Sequence, residues 1–151
     1  MTAIARSALL EVPVSCAYDV VLDVGSYPEF LPGCRAVDIL ELTPSGLVAR
    51  VSVAGKGLSE SFTTRNEHRA NESVQMTLVE GPFEQLQGHW QFTALGDIGC
   101  RVDMSVDFVA RGLVARMLSS LAGSVADRVV DAFSQRITAR ASHPAEGQLG
   151  Q

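Results

Sequence analysis

Along most of this chain the spacing of apolar residues has period two. Val74, Met76 and Leu78 alternate with polar neighbours, Leu86, Trp90 and Phe92 fall on one parity, and Val102, Met104, Val106 and Phe108 alternate without a break. Such alternation is the mark of strands with one buried face. Turn residues separate the runs. Thr43-Pro44-Ser45-Gly46 divides Cys34–Leu42 from Leu47–Ala54, Gly55-Lys56-Gly57 divides the latter from Leu58–Asn66, and Gly81-Pro82 precedes Phe83. Six consecutive strands joined by short turns predict an antiparallel meander. A further apolar run, Ile4 to Val12, predicts a first strand. It is followed by Pro13 and by Ser15, a candidate cap for a helix carrying Tyr18, Val21 and Leu22 on one face.

The period changes near Leu113. Val114, Leu118, Leu121, Ala122, Val125, Val129 and Phe133 form one helical stripe, with Arg116, Ser120, Ser124, Asp127, Asp131 and Ser134 opposite. A helix of about 29 residues would span about 43 Å, enough to cross a whole sheet. Gly123 near its centre marks a place where it can bend. Ser142 to Gln151, with Pro144, Gly147 and Gly150, reads as a frayed tail.

One segment fits neither period. Asp23-Val24-Gly25-Ser26-Tyr27-Pro28-Glu29-Phe30-Leu31-Pro32-Gly33-Cys34 combines two prolines, two glycines and three large apolar residues. Gly25 suits the end of one helix, Ser26 and Glu29 the capping box of the next, and Pro32-Gly33 stops it after a turn. The expected result is a rigid corner pressing Tyr27, Phe30 and Leu31 against core or ligand.

These elements predict an α+β domain over residues 1–141: a curved antiparallel sheet of about seven strands wrapped around a long C-terminal helix, with two short helices after the first strand and a flexible tail at 142–151. A sheet wrapped on a helix leaves room between them for an apolar ligand. At 151 residues with 46% apolar content, the chain is large enough to fold around one core.

Charge and composition narrow the partners. The net charge of −5 argues against DNA or any broad nucleic-acid surface, yet the segment Arg111–Ala141 holds five arginines against two aspartates. Arg128, Arg136 and Arg140 are therefore candidates for an anionic partner, either RNA or a membrane surface. The start Met1-Thr2-Ala3-Ile4-Ala5-Arg6 lacks the apolar stretch of a secretory signal, which points to the cytoplasm. Cys16, Cys34 and Cys100 are odd in number and widely spaced, which suits reduced structural thiols rather than disulfides or zinc ligands.

Catalytic candidates are few. His89 belongs to an alternating strand and should point opposite to Trp90; His68 sits near a turn and His143 in the tail; Glu29 and Asp23 are explained by capping and exposure. Gly57-Leu58-Ser59-Glu60-Ser61 lacks the second glycine of a nucleophile elbow, and neither a phosphate loop nor a metal-ligand cluster occurs. The expectation is a non-enzymatic protein with no cofactor.

The corner, Phe62-Thr63-Thr64-Arg65-Asn66, and Gly81-Pro82-Phe83-x-x-Leu86-x-Gly88-x-Trp90-x-Phe92 resemble, in this order, motifs of the ubiquinone-binding START-domain family, which has a polyketide cyclase-like helix-grip fold. The resemblance spans roughly Ile4 to Ala139. It implies two described roles. One is binding of ubiquinone or a related isoprenoid lipid in support of respiration; the other is association with the large ribosomal subunit, as in the bacterial ribosome-association toxin of the same family. The wording Phe30-Leu31-Pro32-Gly33-Cys34 is similar to the toxin branch. The apolar lining gives lipid binding the first place, with transient contact at the inner face of a membrane. The expected lining is Tyr27, Phe30 and Leu31 from the corner, Phe83, Leu86 and Trp90 from the third motif, and Met104, Phe108, Met117 and Leu121 from the last strand and helix. Ribosome association is the alternative. A cyclase or dehydratase is the third reading.

Overall fold

The computed structural model describes residues 2–55 and 57–142; the side chains of residue 58 and of residues 118–120 lie outside the description. The chain runs β1 (Thr2–Leu10), α1 (Val14–Leu22), a 3₁₀ turn (Val24–Glu29), β2 (Cys34–Thr43), β3 (Gly46–Gly55), β4 (Leu58–Arg69), β5 (Ser73–Glu80), β6 (Phe83–Ala94), β7 (Cys100–Ala110) and α2 (Gly112–Ser142). The seven strands form one antiparallel sheet in the order β1-β7-β6-β5-β4-β3-β2. The meander therefore holds from β2 to β7, and β1 is added beside β7. Ser142 closes α2; the rest of the expected tail, with Pro144, Gly147 and Gly150, lies outside the described residues.

The sheet's inner face follows from register. One row runs from β3 to β1 through Leu47, Asn66, Met76, Gly88, Val106 and Ile4. The outer face is polar, with Gln75, Gln87, His89, Ser105 and Asp107. Among them His89 points away from Trp90, as alternation requires. On the same outer face Ser7 donates to Asp103, which also receives Arg101 at 3.1 Å; the hydroxyl bond first, then the arginine, hold the Asp103 carboxyl below the usual carboxylate range.

Local starts and stops differ from expectation at three places. β1 ends two residues early, at Leu10, because Val12 is drawn into the core (4% exposed) just before Pro13. α1 begins directly after Pro13, whose extended φ and ψ turn the chain into the helix, so Ser15 lies inside the first turn and no side chain caps it. The next turn starts at Val24 rather than after Ser26. Asp23 stands at its N-cap, and Ser26 is already inside, with its hydroxyl donating to Asp23 Oδ2 at 2.6 Å. The Ser26/Glu29 capping box is therefore not formed, and Gly25 does not adopt the left-handed conformation. That role falls to Gly33 (φ +80°), where the chain bends into β2 and Ala54 N–H donates to the Gly33 carbonyl at 2.9 Å.

α2 rests on β1, α1 and β7. It is tied to the edge strand by Arg6, whose Nε donates to Asp127 at 2.6 Å and whose Nη2 reaches the carbonyl of Gly123 at 3.4 Å. A Cβ at 123 would stand 3.6 Å from that Nη2, an ordinary contact, so this attachment does not depend on the glycine. The stripe on α2 includes Val114, Ala126, Phe133 and Ile137 as its buried members. Leu118, expected on the stripe, lies outside the described side chains.

Candidate functional site

The corner is bound to α2 through one aromatic ring. Phe133 is 3% exposed. Tyr27 and Phe30 each meet it edge-on at 5.2 Å between centroids, and Trp90 does so at 4.8 Å. Such edge-to-face pairs add to the apolar burial. Arg136 reinforces the arrangement from outside: its guanidinium carbon lies 5.1 Å from the Phe30 centroid and its Nη2 donates to Glu29 at 2.7 Å. Tyr27 is fixed further by its hydroxyl, which donates to the carbonyl of Val21, and burial, with Asp23 and Cys34 nearby, pushes its pKa upward. Glu29, expected as a capping residue, is thus an ion-pair partner.

Four of the expected lining residues, Tyr27, Phe30, Leu31 and Trp90, therefore pack on the apolar cluster of Val12, Ala17, Tyr18, Val21, Phe92 and Phe133. The space left there, beside Trp90, Met104, Phe133 and Ile137, is about 10 Å³. That is no larger than a single water needs. Here the protein's own side chains take the place expected for a ligand.

The other expected residues sit elsewhere. Phe83, Leu86 and Phe108 join Val114 in a second cluster at the far end, with Phe62, Met76, Leu78 and Ala122 packed on it. Met104 is buried between the two ends. Met117 and Leu121 are half-buried on the first half of α2 and are not among the residues packed on either cluster. A third cluster, Val24, Leu47 and Ala49, lies under the corner and shares Tyr27 with the first.

Between the second and third clusters the inner face turns polar. Thr64 (2% exposed) pairs in register with Ala49 and Leu78, and Asn66 (8%) with Leu47 and Met76. The Thr64 hydroxyl donates to Asn66 Oδ1 at 2.9 Å. Two residues on, His68 Nδ1 lies 2.9 Å from the hydroxyl of buried Tyr18. The sequence of β4 signals the inner row only at its start: Leu58 and Phe62 share the parity of Thr64, Asn66 and His68, and the polar residues after them hide how far burial extends. The apolar neighbours in β3 and β5 show that it reaches Thr64 and Asn66.

On the surface, Phe30, Pro32, Arg128, Asp131, Gln135 and Arg136 line an open depression of about 410 Å³ between corner and α2. Arg128 and Arg140 are exposed, whereas Arg136 is committed to Glu29 and Phe30. No group of three or more metal-binding side chains occurs among the described residues, and no helix among them is long and apolar enough to cross a membrane.

A seven-stranded antiparallel sheet gripping a long C-terminal helix, with two short helical segments after the first strand, defines the START-like helix-grip class. The aromatase/cyclase Zhui from Streptomyces sp. R1128 has this fold: it superposes with a TM-score of 0.83 over 92% of this chain and 94% of its own, at 18% identity. Residues 10–134 match the family described as polyketide cyclase / dehydrase and lipid transport, and the chain belongs to that family. Within it, the ribosome association toxin RatA of Pseudomonas aeruginosa is 45% identical over 136 residues, 89% of this chain and 94% of that protein. RatA of Escherichia coli K12 is 41% identical over 137 residues, 90% and 87% of the two chains. The mitochondrial coenzyme Q-binding protein COQ10 of Dictyostelium discoideum is 30% identical over 86 residues, 55% of this chain and 42% of that one.

Proposed function

We propose that this protein associates with the ribosome, through its large subunit, by the surface where the corner meets α2. The observation carrying this reading is the similarity to the two RatA proteins over nearly the full length of both partners, against a shorter and weaker match to COQ10. It reverses the order in which the sequence alone ranks the two roles. Exposed Arg128 and Arg140 supply the cations for RNA phosphate, and the adjoining depression supplies Phe30 and Pro32 for contact. With a net charge of −5, attraction is confined to this patch. Two phosphate contacts lose only about tenfold in affinity between about 50 mM and about 200 mM salt. The test is sedimentation of purified protein with separated ribosomal subunits from its own host. Co-migration with the large subunit at low salt, weakened by Arg128→Glu with Arg140→Glu, is the expected result; protein that stays at the top of the gradient at low salt refutes the proposal.

A second reading, binding of ubiquinone or a related isoprenoid lipid between sheet and helix, is favoured by the interruption of the apolar interior at Thr64 and Asn66. It uses the inside of the molecule, so both roles can coexist, and membrane contact and a respiratory part follow from it. Gentle purification from the native host, organic extraction and mass spectrometry test it: a stoichiometric isoprenoid supports the reading, and an empty extract removes it. Neither reading requires catalysis. Beside the seam, half-buried His68 has its Nδ1 2.9 Å from the Tyr18 hydroxyl.

A further inference from the structure

We propose that Thr64 and Asn66 receive the polar end of the interior ligand, with the Asn66 amide donating to a neutral carbonyl oxygen; this rests on the lipid-binding reading above. Polar side chains buried on an apolar face are costly unless their hydrogen bonds are met. Thr64 and Asn66 are both more than nine-tenths buried and satisfy each other through one bond. A hydroxyl and a primary amide offer three donors together, and their single mutual bond uses one, whichever way the amide is turned. Two donors remain. Among the described residues, no group accepts from the Asn66 amide nitrogen, and none of their side-chain polar atoms is both fully buried and unpartnered, so this nitrogen keeps an accessible face.

Aliphatic side chains flank this pair on both sides. Across it, Leu47 and Ala49 belong to one apolar cluster and Met76 and Leu78 to another, so the core divides along the pair. Met76, the neighbour of Asn66 in β5, leans the other way. Its Cε occupies the position a side chain at Gly88 would take, 2.7 Å from an ideal Cβ there. The glycine in β6 thus draws Met76 away from Asn66. A small domain normally has one contiguous core. Here a donor pair sits at the division, flanked by aliphatic side chains suited to an isoprenoid tail. An ionised headgroup would be buried without a countercharge, because the seam is uncharged at Thr64 and Asn66, so the matching class is a neutral carbonyl such as a quinone.

Isothermal titration of the full chain with ubiquinone-2, and with a hydrocarbon of the same tail length lacking carbonyls, separates headgroup from tail. The wild type is expected to prefer the quinone by about tenfold, the order that one or two neutral hydrogen bonds supply. In Thr64→Val/Asn66→Leu that preference should fall to about onefold while the hydrocarbon still binds. Asn66→Ser, which withdraws the amide but keeps a small polar group, should also lower it and serves if the double variant does not fold. An unchanged preference in a folded variant, or a wild type indifferent to the carbonyls, overturns the assignment while leaving lipid binding intact. Folded wild type that binds neither probe removes both.

Discussion

Replacing Phe133 by alanine tests whether the corner is held as described. Truncation of a buried phenylalanine costs about 3–5 kcal/mol, depending on how far the surroundings collapse into the space. Collapse is restricted here. Tyr27 is fixed by its hydroxyl bond to Val21, and Phe30 by Arg136 and Glu29, so neither ring is free to swing into the gap. The three edge-on ring pairs, at 4.8 to 5.2 Å, are lost together. The cost should therefore fall in the upper part of the range, about 4–5 kcal/mol, a large part of a typical domain stability of about 5–15 kcal/mol. For a chain of this length that lowers Tm by on the order of 10–15 °C. Phe133→Leu, which keeps most of the volume, should cost about 1–2 kcal/mol. Urea unfolding followed by circular dichroism gives the free energies. The single tryptophan gives a local readout, because Trp90 leans on the deleted ring, and its emission should shift to the red in Phe133→Ala. A loss below about 1 kcal/mol with unchanged emission would refute the hub.

Other expectations follow from neighbouring features. A Cβ at Gly46 would lie 2.4 Å from the backbone oxygen of Asn66, so Gly46→Ala must part β3 from β4 and should cost about 2 kcal/mol or more by chemical denaturation. Glu29→Ala should cost at most about 1 kcal/mol and lose its effect in high salt, because Glu29 is largely exposed. Arg136→Ala should cost more and keep part of its effect in salt, since it also loses its position over Phe30. The lowered pKa of Asp103 stabilises the fold above the ordinary carboxylate pKa, and this contribution disappears as pH falls through the lowered value. Because the group is partly exposed, the effect is under about 1 kcal/mol, and it should be missing from the acid side of the Asp103→Asn stability profile.

Period-two spacing located β5 to β7 to within a few residues, because one face of each of these strands meets the core and alternation is imposed locally, while the turns between them marked off β2 to β4. The α2 stripe was legible for the same reason. The contacts that decide the site are not local. Nothing near Phe30 or Trp90 in the chain indicates that both meet Phe133, and nothing near Arg6 points to Asp127. The corner's aromatic residues were recognisable as rigidly placed, but whether they touch ligand or core depends on a helix a hundred residues away. Arg136 looks like its neighbours Arg128 and Arg140 until Glu29 is brought beside it. Thr64 and Asn66 are hidden for a different reason: in Leu58–Arg69 only Leu58 and Phe62 mark the inner parity, and burial of the polar residues after them follows from the register with β3 and β5.

The placement of β1 also orders events in time. Thr2 pairs with Phe108 and Leu10 with Cys100, so the first strand to be synthesised has no ladder to join until the last strand exists. Its second attachment, from Arg6 to Asp127, comes later still. Closure over such separations makes folding slower than in proteins of local contacts. As the chain emerges, the hairpins from β2 onward can form in the order they are made, while the N-terminal segment waits and is fitted to the edge from outside. A chain cut before β7 therefore lacks not one strand of the sheet but two.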